Sequence, residues 1–122
     1  MVAEWAAESS GIRNPFGAPG LRPLACEQLC IIGNYYYRLG ALNDALAAYQ
    51  RAFDTATDME DLMGQAMTLC KWGSCYASLR DQSRALQLFE RSRYIYRKLG
   101  ISDEHPLVQL LLGNIARVQS SR

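Results

Sequence analysis

From Leu24 onward apolar residues recur at three- and four-residue spacing, the signature of helices that bury one face. Leu29, Ile32, Tyr36 and Leu39 form one such stripe, and Gly40 follows as a helix stop. Pro23 stands just before the first turn, where proline is well suited. The pattern predicts a first helix over about 24–39 and a second, capped by Asn43, to about Thr57. Asp58, Glu60 and Asp61 place negative charge at the positive end of a third helix, which reaches Leu79. Asp81 or Ser83 starts a fourth, ending at Leu99 and Gly100. Ser102 and Asp103 precede Pro106 and a fifth helix, to about Val118. Connections this short make sequential helices pack antiparallel. The expected class is all-α with about five helices.

The stripes are copies of one another. Leu29, Ile32, Gly33, Tyr36, Leu39, Ala45, Leu46 and Tyr49 recur 40 residues later as Leu69, Trp72, Gly73, Tyr76, Leu79, Ala85, Leu86 and Phe89. A third copy begins with Leu112, Gly113, Asn114 and Ala116. A fixed period of this size indicates stacked supersecondary units, which hold a surface open for a partner. A glycine inside a helix costs about 1 kcal/mol relative to alanine. Gly33, Gly73 and Gly113 therefore need a packing reason: close approach of a partner helix that brings Ala45 or Ala85. Tyr49 and Phe89 are expected to fill the wider gap between units.

The string L-x-x-I-G-x-x-Y-x-x-L-G-x-x-x-x-A-L-x-x-Y-x-x-A, from Leu29 to Ala52, resembles the tetratricopeptide repeat (TPR). The second unit, Leu69 to Ser92, departs at Arg80, where a turn glycine is usual, and at Ser92, where alanine is usual. The common TPR period is 34 residues, so the 40-residue period here implies longer helices. This form looks like the repeats of Pins-type spindle-orientation adaptors, whose Asp-x-x-Gly-x-Ala start matches 61–66. Lys98-Leu99-Gly100, then His105-Pro106-Leu107-Val108 and Gly113-Asn114-Ile115-Ala116, also look like kinesin light chain repeats. The resemblance implies a TPR-like right-handed stack of antiparallel helix hairpins that binds an extended peptide of a partner protein.

By the same resemblance, the first helix of each unit lines a concave groove. Carried over by position, groove residues are Cys30, Asn34, Tyr37 and Arg38, then Cys70, Ser74, Ala77 and Ser78 with Lys71 near the rim, then Leu110, Asn114 and Arg117. Asparagine both donates and accepts, which suits the exposed backbone of an extended peptide. Ser74 interrupts the Asn34–Asn114 series. Cys30 takes the place of the lysine that clamps acidic chaperone tails, so such tails are not the expected ligand.

Composition narrows the picture further. The chain has 122 residues, 49% hydrophobic and 20% charged, with net charge +1: a single folded domain without a global pull toward nucleic acid. No apolar run spans a bilayer, and Met1–Ser10 lacks a signal-peptide pattern, so the expected location is cytoplasmic. Residues 1–23 hold three of the four prolines and are expected to be a flexible lead-in to a helical domain over 24–119, with 120–122 a short tail. Within the lead-in, Asn14-Pro15-Phe16 resembles the tripeptide read by EH domains of endocytic proteins.

Cys26, Cys30, Cys70 and Cys75 lack C-x-x-C spacing and read as small buried hydrophobes. Cys30 and Cys70 are equivalent by repeat, a placement that lets them face each other across adjacent helices. Arg84, Arg91, Arg93, Arg97 and Lys98, interleaved with Tyr94 and Tyr96, read as a solvated or salt-bridged face rather than a nucleic-acid site. The single histidine, His105, sits at a helix start, and no phosphate loop, paired-His site or nucleophile elbow is present. The expectation is a non-catalytic adaptor without a cofactor.

The fifth helix is apolar over much of its surface, through Leu107, Val108, Leu110, Leu111, Leu112, Ile115 and Val118. Its cover is expected from a continuation of the array or from a second copy meeting Leu107, Leu111 and Ile115, rather than from the lead-in folding back. The alternative reading is accordingly an oligomerisation module, or a fragment of a longer array.

Overall fold

The computed structural model describes residues 24–121 and is all-α. Its five helices are α1 (Cys26–Arg38), α2 (Leu42–Asp58), α3 (Leu62–Ser78), α4 (Gln82–Lys98) and α5 (Pro106–Ser120). The lead-in over 1–23, with its Asn14-Pro15-Phe16 tripeptide, and Arg122 lie outside the described residues.

The first four helices end in the same way. The amide of Gly40 donates to the Tyr37 carbonyl and that of Ala41 to Tyr36, the paired bonds of a Schellman stop. The pair recurs from Glu60 and Asp61, from Arg80 and Asp81, and from Gly100 and Ile101. The stop needs a residue at positive φ, and the four are Gly40 (79°), Glu60 (56°), Arg80 (66°) and Gly100 (76°). Glycine occupies this region freely; Glu60 and Arg80 do so at a steric cost. The stops at 40, 60, 80 and 100 halve the sequence period: one helix and its turn occupy twenty positions.

Helix starts follow from the stops. Asp61 caps α3 by accepting from the Gly64 amide at 2.9 Å, and Asp81 caps α4 by accepting from Arg84 at 3.2 Å. His105 caps α5, its Nδ1 accepting from the Leu107 amide at 3.1 Å, with Pro106 as first helical residue. Asn43 is not the cap of α2: Ala41 holds that place and offers no side-chain bond. The Schellman stop of α1 already engages the Ala41 amide, so α2 begins at Leu42, one residue before Asn43. Ser83 likewise lies inside α4. At α1, helix begins at Cys26, two residues later than the pattern predicts, with Ala25 as cap.

The hairpins are antiparallel, as their contacts require. Leu29 packs with Ala52 near one end of α1–α2, and Tyr36 with Leu42, Ala45 and Leu46 near the other. Between them, a β-carbon built on Gly33 would lie 2.6 Å from Cε1 of Tyr49. In α3–α4, the equivalent position on Gly73 would lie 2.7 Å from Cε1 of Phe89 and 3.2 Å from the Ala85 carbonyl oxygen. Both aromatic rings are thus seated on bare helix backbone. Burial of a ring this size contributes about 2–3 kcal/mol, more than the propensity lost to a helical glycine.

α1, α3 and α5 lie side by side, with α2 and α4 packed against them. The largest core cluster joins α3, α4 and α5 through Leu69, Phe89, Tyr96, Val108 and Leu111. Ser92 is fully buried at the site equivalent to Ala52, and its hydroxyl donates to the Ala66 carbonyl at 2.7 Å. That bond removes the desolvation cost a buried hydroxyl otherwise carries.

Candidate functional site

A groove of about 410 Å³ opens where the C-terminal ends of α1, α3 and α5 meet the N-terminus of α4. Tyr37, Ser74, Ala77, Ser78, Arg80, Gln82, Phe89, Asn114, Arg117, Val118 and Ser121 line it. Each wall is fixed by hydrogen bonds between elements. Tyr37 Oη meets Ser78 Oγ at 2.7 Å, tying α1 to the end of α3. Gln82 Nε2 donates to Ser121 Oγ at 2.8 Å, tying the start of α4 to the end of α5.

Asn114 is the hub of the inner wall and is only 6% exposed. Its Nδ2 donates to Ser74 Oγ at 3.3 Å and to Cys70 Sγ at 3.5 Å, while Oδ1 accepts from the Arg117 guanidinium. Ser74 in turn donates to the Cys70 carbonyl at 3.1 Å. The amide therefore aligns Arg117 instead of reaching into the groove itself. A buried and fully bonded network of this kind holds its members in one geometry.

Of the residues singled out by repeat position, Tyr37, Ser74, Ala77, Ser78, Asn114 and Arg117 come together in this groove. The others are placed elsewhere. Cys30 is buried, its Sγ 3.2 Å from Thr68 Oγ1, and Cys26 shares the same hydroxyl at 3.3 Å. Cys30 meets Thr68, and Cys70 meets Asn114, so each thiol has a partner other than the equivalent cysteine. Asn34 Oδ1 accepts from the Tyr49 hydroxyl at 2.6 Å, so it anchors the seated ring. Lys71 is half-buried, Arg38 is exposed in the last turn of α1, and Leu110 is 59% exposed. None of these three borders the groove.

Arg80, Gln82 and Ser121 border it without belonging to a first helix. Arg80 had a signal in the sequence, since it replaces a turn glycine. Gln82 and Ser121 had none, because their place depends on how the ends of α4 and α5 meet.

The groove is electropositive. Among the described residues its lining includes two guanidinium groups and no carboxylate. Three helix C-termini there contribute about half a negative charge each, and the α4 N-terminus about half a positive one. Two full positive charges outweigh that sum, and the hydroxyls and amides supply neutral donors and acceptors.

The thiols of Cys30, Cys70 and Cys75 and the phenols of Tyr49 and Tyr96 do not contribute charge near neutrality. Burial pushes Cys75 up to about 11 from its ordinary 9.0, and raises Cys30 and Cys70 as well. Burial also pushes Tyr96 up to about 12 and raises Tyr49. Among the described residues, no group of three or more His, Cys, Asp or Glu side chains is arranged to hold a metal ion.

Most of the basic residues of α4 are already engaged. Arg84 lies over the Tyr76 ring at 5.6 Å and pairs with Asp81 at 3.5 Å. Arg91 lies over Phe53 at 5.1 Å, Lys98 over Tyr94 at 5.9 Å, and Arg93 pairs with Asp103 at 3.8 Å. Tyr96 is buried in the core.

Leu111 and Ile115 are core residues and Leu107 packs against the same cluster, so these three side chains are not a surface for a second copy. The reason is that α5 turns them toward α3 and α4. Its outward side carries Leu110, Gly113 and Ala116 instead.

No helix among the described residues is long and apolar enough to cross a membrane. No family model, curated protein or solved structure matches the chain.

Proposed function

We propose that this chain is a non-catalytic adaptor of TPR-like architecture that holds an extended, acidic peptide segment of a partner protein in the groove between α3 and α5. The observation that carries this reading is the groove's lining: Arg80 and Arg117 among Tyr37, Ser74, Ser78 and Asn114, with no carboxylate among the described residues. An arginine fork pairs with a carboxylate through two parallel hydrogen bonds, giving direction as well as attraction. Hydroxyls beside it satisfy the backbone of an extended segment, which has no partners of its own. The two glycine-seated rings support the stacked-hairpin architecture, because both hairpins use one geometry. A cytoplasmic setting accords with four free thiols, three of them buried.

Selection of a random peptide library on the intact protein tests the reading. Enriched sequences are expected to carry aspartate or glutamate beside small or polar residues. Enrichment of basic or purely apolar sequences would contradict it.

A further inference from the structure

We infer that the groove takes the acidic group of its peptide as a phosphorylated side chain, a dianion, in preference to a carboxylate. The inference rests on the reading that an extended acidic segment lies there, and it names the chemistry of the group bound. It is carried by which hydrogen-bonding groups of the groove are already engaged and which are left over. Ser74 accepts from Asn114 Nδ2 and donates to the Cys70 carbonyl. Ser121 accepts from Gln82 and donates to the Val118 carbonyl. Both hydroxyl protons thus turn into the protein. Asn114 is engaged through both amide atoms, Oδ1 by Arg117 and Nδ2 by Ser74 and Cys70. The groups left over are chiefly donors. Tyr37 and Ser78 share one hydrogen bond, which uses one hydroxyl proton and leaves the other. Gln82 spends one amide proton on Ser121 and keeps the other. Arg117 holds Asn114 through one amino group, which leaves its other N–H groups. Arg80 is exposed, and among the described residues the ion pairs run to Arg84 and Arg93 instead.

A carboxylate presents its oxygens in one plane and matches a single guanidinium fork, so it leaves the second arginine without a charged partner. A phosphate monoester carries about −1.5 to −2 charge near pH 7 and has three acceptor oxygens, with no donor in its dianion. It can accept from two guanidiniums and a hydroxyl together. Its charge matches that of Arg80 and Arg117 combined, and among the described residues the lining holds no carboxylate to oppose it. A nucleic-acid phosphate fits less well. Bases bind by stacking on open ring faces, whereas Phe89 is fully buried against Gly73 and Tyr37 is tied to Ser78.

The test passes synthetic peptide libraries over the immobilised intact protein. Their flanks are degenerate, and their centres are fixed as serine, glutamate, a glutamate pair or phosphoserine. Recovery of the phosphoserine library is expected to exceed that of either glutamate library at least about tenfold, the effect of one further charge-assisted hydrogen bond. Arg117→Glu and Arg80→Gln should each abolish that preference, with native circular dichroism retained. Arg51 is exposed on α2 and does not line the groove, so Arg51→Gln should leave the preference unchanged. Glutamate recovered above serine and level with phosphoserine would overturn this inference and leave the acidic-segment reading standing. Recovery of every library at the serine level would overturn both. A phosphoserine preference that survives in both arginine variants would overturn the assignment to this groove. So would a 5′-phosphorylated oligothymidine that binds as tightly as the phosphoserine library, by placing the phosphate on a nucleic acid.

Discussion

Glu60 and Arg80 show what the fold demands of individual residues. Each stands at the left-handed position of a Schellman stop, at φ of 56° and 66°. A side chain in that region costs roughly 1 kcal/mol, and glycine removes the cost while adding some unfolded-state freedom. Arg80→Gly and Glu60→Gly should each raise stability by up to about 1 kcal/mol, measured as an upward shift of the urea midpoint. Arg80 also lines the groove, so its replacement should weaken peptide binding at the same time. The residue scale likewise sets the alkaline limit. Cys75 titrates at about 11 when folded and 9.0 when exposed. Below pH 9 both states hold the proton, and above it only the unfolded state releases it. Stability is therefore whole below pH 9 and falls as pH rises toward 11. Two pKa units set the loss from this thiol at on the order of 2 kcal/mol, with Cys30 and Cys70 acting in the same direction. Denaturant midpoints at pH 8 and pH 10.5 check this. An unchanged midpoint would contradict it.

At the scale of elements, the three repeat glycines separate packing from propensity. The existence and order of the five helices were legible because their apolar residues keep one period from Leu29 to Val118. Starts were less legible: Asn43 has the chemistry of a cap, but the preceding stop fixes the entry at Ala41. The sequence equated Gly33, Gly73 and Gly113, whereas their surroundings differ. A methyl on Gly73 would meet the Phe89 ring and the Ala85 backbone, and one on Gly113 would meet nothing among the described residues. Gly73→Ala should destabilise by about 1–3 kcal/mol through overpacking, and Gly113→Ala should stabilise by up to about 1 kcal/mol. Thermal unfolding of the two variants gives the comparison. A common sign for both would refute the assignment of the seats.

At the scale of the molecule, two helical hairpins and a fifth helix form a polar groove at the ends of α1, α3 and α5. Part of that groove was legible in the repeat register, which located Tyr37, Ser74, Ala77, Ser78, Asn114 and Arg117. The rest was not, for physical reasons. Register shows which face of a helix a residue occupies, but not how far a neighbour covers it. Asn34 shares a register with the groove residues Ser74 and Asn114, yet Tyr49 engages it from the adjacent helix. Leu107, Leu111 and Ile115 seemed free because α5 is apolar nearly all round, and their burial depends on which way α5 turns. Asn114 was legible as a groove residue suited to a peptide's backbone, but its bonds are internal: it aims the guanidinium of Arg117.

That arrangement makes Arg117 the most informative residue to change. Asn114 is buried and bonded on both sides, so altering it would disturb the core as well as the groove. Arg117 is exposed, and reversing its charge leaves the core residues in place. The decisive measurement is isothermal titration of one library-selected acidic peptide against wild type and Arg117→Glu. The account predicts at least about a tenfold loss of affinity, with the native helical circular dichroism retained and a modest fall in stability, about 1 kcal/mol, from the lost Asn114–Arg117 bond. Equal affinity for the two proteins would contradict the proposal that this groove reads acidic segments.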